Sequence, residues 1–402
     1  VRPVELSKNV YWVGAIDWLT RDFHGYSTER GTTYNAYLII DEKVTLIDTV
    51  KSGCGHELMH RIRNVIDPKR IDYLVVNHVE MDHSGSLPMV INEINPEKVI
   101  CSKMGLKALL QHFHHPEWPF HAISPGEELK LGEKTLSFVE ARMLHWPDSM
   151  FTYLKEDQIL FSSDAFGEHL ASSERFDDEV NQDMLMHEAA KYYANILTLY
   201  SPVVKKLIEQ IAVMGLPLRM IAPDHGIVWR KNPGGIIDAY SRWCRHEGSS
   251  RALIIYDSMW HSTEMMAKSI AGGLQDKGVS YKLLNLQVNH HSDVMCDVLE
   301  AGAVILGCPT LNNGLLPRMA GFLMYMRGLR PTNKIGAAFG SYGWSGEAVK
   351  LMNTAMSEMN FELAHPGLRV QYVPEHSHLQ ECVELGHTVG QALLSRSTKA
   401  AV

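Results

Sequence analysis

The sequence predicts two bodies in series, an α+β sandwich flanked by helices and then an α/β doubly wound parallel sheet. Three observations carry this. The first 245 residues present short β-branched and aromatic stretches, with His, Asp and Glu clustered just beyond apolar runs. From Arg251 onward, apolar strands and helical stretches alternate regularly. Between the two lies His246-Glu247-Gly248-Ser249-Ser250, short and polar as linkers are, so the domains are expected at 1–248 and 249–402.

In the first half, residues 10–16, 32–40 and 44–48 are strand-like, with Gly and Asp punctuating them. Helical stretches enter at 55–65, 84–92 and 103–113, and further strands are expected at 71–77, 135–142, 159–163 and 219–222. The polar segment 167–182 reads as a long connection, and 184–199 as a helix carrying Tyr192 and Tyr193. In the second half, strands at 252–256, 281–286, 303–307, 334–340 and 362–372 alternate with helices at 263–277, 292–301, 317–328, 346–359 and 379–395. Five of each make a five-stranded parallel sheet covered on both faces.

Composition bounds the function. A chain of 402 residues, 45% hydrophobic and 21% charged, has material for more than one buried core. Net charge is −8 with no long basic run, so nothing supplies the phosphate-neutralising surface that nucleic acid requires. The six cysteines are dispersed and none forms a C-x-x-C pair, which argues for free thiols in a reducing cytoplasm. No apolar window approaches a membrane span, and the first residues lack the order of a signal peptide, so a cytoplasmic protein without membrane attachment is expected.

The densest chemistry is His78-Val79-Glu80-Met81-Asp82-His83, two imidazoles and two carboxylates directly after an apolar strand. The i, i+2, i+4 spacing of His78, Glu80 and Asp82 suits an extended or looping segment aimed at neighbouring metal positions, with His83 turned differently. His145, Asp164 and His225 each follow an expected strand. Seven donors are too many for one tetrahedral zinc and suit two metals bridged by a carboxylate, a role open to Asp164. The mixture of carboxylates and imidazoles favours iron or manganese over zinc.

This H-x-E-x-D-H pattern, with His, Asp and His at long intervals, resembles the metallo-β-lactamase-like αββα domain of flavodiiron proteins, whose hydrolytic relatives carry H-x-H-x-D-H. The resemblance implies two irons, with His78, Glu80 and His145 on one, Asp82, His83 and His225 on the other, and Asp164 between. It also implies distal hydrogen-bond donors, for which His24 and Tyr192 or Tyr193 stand in the corresponding places. His112, His114, His115, His290, His291 and the histidines of 376–378 are read as surface or helix-end residues and assigned no metal.

The second half offers a ligand pocket. Ser258, Met259, Trp260, His261, Ser262 and Thr263 lie between a strand and a helix start, where backbone amides and hydroxyls can cradle a phosphate without Lys or Arg. Two further loops follow later strands at the same end of the sheet: Pro309, Thr310, Leu311, Asn312, Asn313 and Gly314, then Ser341, Tyr342, Gly343, Trp344, Ser345 and Gly346. Together they resemble a flavodoxin domain holding FMN, with Ser258, Ser262 and Thr263 on the phosphate and Trp260, Tyr342 and Trp344 offering flat faces to the ring. No G-x-G-x-x-G fingerprint is present, which counts against NAD in this unit.

The pairing resembles a whole flavodiiron protein. It implies reduction of dioxygen to water, or of nitric oxide to nitrous oxide, by electrons passed from a separate donor such as rubredoxin through FMN. It further implies a head-to-tail homodimer in which the flavin of one subunit serves the irons of the other. The competing readings are a zinc-dependent hydrolase fused to a flavodoxin-like module, which leaves the flavin loops idle, and a pure electron carrier, which leaves seven ligands idle.

Overall fold

A computed structural model of the chain describes residues 2–124 and 126–400. Two compact units emerge: one comprises the chain up to Tyr192 together with Pro202–Ser241, the other Tyr193–Ser201 together with the chain from Arg242. The strand Ser249–Tyr256 begins inside the polar run that the sequence marks as a break. Ser249 pairs with Ala301, and its hydroxyl donates to Glu300 O at 2.9 Å.

The first unit is built on a seven-stranded and a five-stranded sheet. The larger runs Val4–Ser7, Val10–Trp12, Tyr37–Ile39, Val44–Ile47, Ile71–Val76, Lys98–Cys101 and Phe120–Ala122, antiparallel as far as Val44–Ile47 and parallel thereafter. The smaller runs Glu128–Lys130, Thr135–Glu140, Met150–Leu154, Ile159–Phe161 and Met220–Ala222, with the last two parallel. Trp12, Ile47, Val75 and Ile100 from one sheet meet Leu136, Met150, Phe161 and Met220 from the other in one buried cluster. The opposite face of the larger sheet packs under Leu58, Met59 and Ile62 of the helix Gly55–Arg63 and Val90 and Ile94 of the helix Leu87–Ile94. An αββα sandwich results, because both faces of the larger sheet are apolar and each needs a partner layer.

Two expected strands are each split in two. Residues 10–16 divide at Val13-Gly14, and 32–40 at Asn35-Ala36, so that Ala15–Asp17 pairs with Thr32–Tyr34 in a separate ribbon. The cause is close approach: a Cβ on Gly14 would lie 2.2 Å from Tyr34 O. The bend aims Thr32, Thr33 and Asn35 at the loop around His225, and Asn35 N donates to Asp224 O at 2.7 Å. The expected helix 184–199 is likewise interrupted, running Gln182–Tyr192, then a π-turn Tyr193–Leu197 and a 3-10 turn Thr198–Tyr200 before the helix Ser201–Met214.

The second unit has strand order Ser280–Asn285, Ser249–Tyr256, Ala301–Gly307, Ile335–Tyr342, all parallel. The fifth strand is broken into Glu362–Leu363 and Leu368–Gln371, both parallel to Ile335–Tyr342. One face carries the helices His291–Glu300, Pro317–Leu329 and Ala348–Glu358, the other Ser262–Asp276 and His376–Ala400. The central strands Ser249–Tyr256, Ala301–Gly307 and Ile335–Tyr342 have interiors buried on both sides, as a doubly wound sheet demands, while the edge strands are partly exposed. No helix among the described residues is long and apolar enough to cross a membrane.

Candidate metal centre and cofactor cavity

The seven donors of the first unit come together at the carboxyl ends of strands from both sheets. His78 and Glu80 follow Ile71–Val76, His145 follows Thr135–Glu140, and Asp164 and His225 follow the parallel neighbours Ile159–Phe161 and Met220–Ala222. The run after His78 is not extended. Glu80 is the N-cap of a short helix Met81–Ser84, so Asp82 and His83 are consecutive helical residues and both reach the same point, His83 included.

The ligand atoms form two groups, His78, Glu80, His145 and Asp164 in one and Asp82, His83 and His225 in the other, each within 4.8 Å. Asp164 faces both. Its Oδ2 lies 3.3 Å from the Nε2 of His78 and of His145, while its Oδ1 lies 3.1 Å from His83 Nε2 and 3.4 Å from His225 Nε2. Glu80 Oε2 completes the first focus at 3.3 Å from His78 Nε2 and 3.1 Å from His145 Nε2. Asp82 Oδ2 completes the second at 3.3 Å from His83 Nε2 and 3.1 Å from His225 Nε2.

Electrostatics follow from this crowding in a buried space. Burial alone would raise Glu80 and Asp164, but the facing imidazoles outweigh it and hold both carboxyls well below their usual range. Burial would lower His145, but hydrogen bonds to Asp164 and Glu80 raise it to about 9. The carboxylates are therefore ionised and the facing imidazoles of His78, His83 and His145 hold protons, which are what a bound cation would displace.

Outer partners fix the rings. His78 Nδ1 donates to Asp148 Oδ2 at 2.9 Å, which also accepts the Val79 amide at 2.7 Å. His225 Nδ1 donates to Thr33 O at 2.7 Å. Both bonds put the proton on Nδ1 and turn Nε2 inward, as a hydrogen bond from the outer ring nitrogen does in metal-binding histidines. His83 Nδ1 faces the fully buried Asp224 at 3.9 Å. Sequence reasoning passed over Asp148 and Asp224, although the first stands three residues after His145 and the second immediately before His225.

Of the distal candidates, His24 Nε2 lies 2.9 Å from Glu80 Oε1, on a hairpin of Asp22–Phe23 and Tyr26–Ser27, with a side chain 62% exposed. Tyr192 is buried, its ring 6.1 Å from His225 and 5.1 Å from His169. Burial pushes its hydroxyl well above the ordinary value, so it keeps its proton. Tyr193 turns away to Ser201 Oγ, 3.0 Å off, and the Trp243 ring, and belongs to the second unit. The structure therefore brings Tyr192 to the imidazoles and not Tyr193. His169, overlooked in the sequence, is fully buried, bonds Thr32 Oγ1 at 2.8 Å and packs against His225 and Phe23.

In the second unit a cavity of about 410 Å³ is lined by Ser258, Met259, Trp260, Ser262, Pro309, Thr310, Leu311, Asn312, Ser341, Tyr342, Gly343, Trp344 and also Tyr372. It sits beyond the carboxyl ends of the strands ending at Tyr256, Gly307 and Tyr342. Thr263 lies behind the wall, tying Ser341 Oγ at 3.1 Å, while Ser345 reaches Asn313 at 3.4 Å. His261, in the left-handed region, pairs with Glu264 at 2.8 Å, and Gly314 and Gly346 shape their turns without lining the cavity. Tyr372 arrives because its amide bonds Tyr342 O at 2.7 Å, extending the last strand over the pocket. No Lys or Arg lines the cavity, so an anion there meets neutral donors and the amino end of the helix Ser262–Asp276.

Comparison with known proteins gives two family matches, ODP family beta lactamase over residues 32–226 and flavodoxin over 254–386. A nitric oxide reductase of Moorella thermoacetica is 46% identical over 391 residues, covering 96% of this chain and 98% of its own. A rubredoxin-oxygen oxidoreductase of Megalodesulfovibrio gigas is 45% identical over 98% of this chain and 99% of its own. Among solved structures, rubredoxin oxygen:oxidoreductase from Desulfovibrio gigas superposes with TM-score 0.96 at 44% identity, covering 98% of this chain and 99% of that one. The flavodiiron protein from Giardia intestinalis gives 0.95 at 33% identity, covering 99% and 98%.

Proposed function

The chain belongs to the flavodiiron protein family, and from that premise we propose that it reduces dioxygen or nitric oxide at two irons held by the seven-residue cluster, with electrons entering through FMN. The observation that carries this is the donor set at each focus: two imidazoles and one carboxylate, with the two oxygens of Asp164 divided between the foci. Two imidazoles with a carboxylate suit non-haem iron, whereas an all-nitrogen set would suit zinc. The buried carboxylates agree, since Asp82 Oδ1 has no hydrogen-bond partner among the described residues and Asp82 Oδ2 and Asp164 Oδ2 face imidazole Nε2 atoms. The second unit fits FMN through its neutral, flat-walled cavity and the buried, unpartnered hydroxyl of Ser258.

Bound irons supply one electron each and reduced FMN two more, matching the four that take dioxygen to two waters, or the two that take two nitric oxides to nitrous oxide and water. The residues do the rest. Asp164 would hold the pair together, Asp148 and Thr33 lock the ring orientations, and His24 stands at the solvent side of Glu80 where a proton can be handed inward. Tyr192 keeps its hydroxyl proton in the buried wall behind His225. Asp164→Ala is expected to abolish consumption of both gases. Wild-type rates measured on dioxygen and nitric oxide with one reductant identify the preferred substrate, and retention of turnover in the variant would contradict the assignment.

The remaining parts of the proposal are a rubredoxin-like electron donor, a cytoplasmic setting and a head-to-tail dimer. All six cysteines are free thiols, five of them buried, in keeping with a reducing compartment. Large apolar side chains are exposed beside both sites: Trp260 and Trp344, 84% and 85% exposed, at the flavin cavity, and Trp18, Leu19 and Met81 on the metal side. Tyr34 ties the Trp18-Leu19 turn to the centre, its hydroxyl 3.4 Å from Asp17 and its ring 5.9 Å from His225. Apolar surface of this kind marks contact sites, and a two-fold dimer joining the two patches covers both at once.

A further inference from the structure

Glu168 is completely buried between Asp164 and His169, and nothing above gives it a task. Its Oε1 accepts the Ile227 amide at 2.6 Å, and its own amide donates to His225 O at 3.4 Å. Between those two residues stands Gly226 at φ +78°, where an added Cβ would lie 2.2 Å from Glu168 Oε1 and 2.5 Å from the carboxyl carbon. The side chain therefore lies directly across the backbone that carries His225. From the other side, Thr33 Oγ1 accepts the Gly226 amide at 2.6 Å and Thr33 O accepts His225 Nδ1–H at 2.7 Å. The segment 225–227 is held as in a clamp. Glu168 Oε2 has no hydrogen-bond partner among the described residues, and a buried carboxyl with an unsatisfied oxygen costs stability, so packing alone does not account for the residue. Its one side-chain hydrogen bond among the described residues goes to Ile227, and none goes to His78, Glu80 or His145.

We propose that Glu168 is a positioning residue that aims His225 Nε2 at the second metal position, set by Asp82, His83 and His225, and so tunes that position without tuning the first. The inference rests on reading the cluster as a metal pair. A purely structural residue would weaken both positions together or neither.

The test is anaerobic calorimetric titration of the full-length apoprotein, FMN retained, with ferrous iron alone. Wild type is expected to take two irons. Glu168→Met, which keeps the bulk and removes the acceptor, should bind one iron with wild-type affinity and the other about 10–100-fold more weakly, the usual cost of losing an outer-shell partner. Glu168→Gln keeps an oxygen for the Ile227 amide and should restore both. Unchanged affinities in Glu168→Met, equal losses at both positions, or no rescue by Glu168→Gln would overturn the inference. Where Glu168→Met fails to fold, Glu168→Ala, which removes the acceptor without adding bulk, must give the same one-sided loss; an equal loss or none overturns it. A wild-type protein that binds fewer than two irons would instead overturn the metal-pair reading, and the inference with it.

Discussion

Single atoms decide what the metal centre can do. Asp164 can serve two positions because its two oxygens face different imidazole pairs, and His78 presents Nε2 because Asp148 occupies Nδ1. Adjacent tyrosines show the same sensitivity: a single residue step, roughly 100° around the helix, separates a ring beside His225 from one hydrogen-bonded to Ser201. Tyr192→Phe is therefore expected to lower turnover, while Tyr193→Phe should leave turnover intact and lower stability by about 0.5–1.5 kcal/mol, the worth of one hydrogen bond. Turnover and urea unfolding on both variants decide it, and equal kinetic losses would contradict the assignment. At this scale the ligands were legible in the sequence, because His, Asp and Glu just beyond apolar strands have no packing role to explain them. Asp148, Asp224 and Glu168 were not legible. Each is a single acid whose partner lies far along the chain, as Asp148 is to His78, and burial of such a residue leaves no periodic trace.

Elements explain where the pattern held and where it broke. The second unit was legible nearly element by element, since its central strands, buried on both faces, read as continuous apolar runs. In the first unit the strand breaks at Gly14 and Asn35 left no mark in the pattern, because β-branched and aromatic residues stand on both sides of each break and the switch between sheets is forced by a backbone contact. The π-turn after Tyr192 escaped for a similar reason, helical composition continuing across it. One element end makes a pH prediction. Lys334, ahead of the strand Ile335–Tyr342, is wholly buried and donates to Leu299 O at 2.9 Å and Ala301 O at 2.6 Å, where the helix His291–Glu300 ends. Burial, with Arg396 nearby, lowers its ammonium from the ordinary 10.5 to about 7. Below that pH both native and unfolded chains hold the proton and the penalty is complete. Between about 7 and 10.5 the unfolded chain still holds it and the native chain has released it, so this residue makes native stability rise with pH. In denaturant unfolding from pH 7 to 10, wild type should gain on Lys334→Met; parallel curves would show that the ammonium is not displaced.

The whole molecule joins two sites of different chemistry, and the dimer proposal makes each subunit depend on its partner. Mixing subunits disabled by Asp164→Ala with subunits unable to bind FMN should recover activity once exchange is complete, because the heterodimer pairs an intact flavin with intact irons. Verified exchange without recovery would put electron transfer within one chain. The central claim is redox chemistry at iron rather than hydrolysis at zinc, and Glu80 with its two imidazoles is the feature on which it turns. The most direct measurement prepares the FMN-loaded protein once with iron and once with zinc, reduces the flavin, and follows dioxygen and nitric oxide consumption together with metal content. We predict about two metals per chain in both, as a carboxylate-bridged site requires, and gas consumption in the iron form alone. Equal consumption by the zinc form, or none by a fully loaded iron form, would contradict the account.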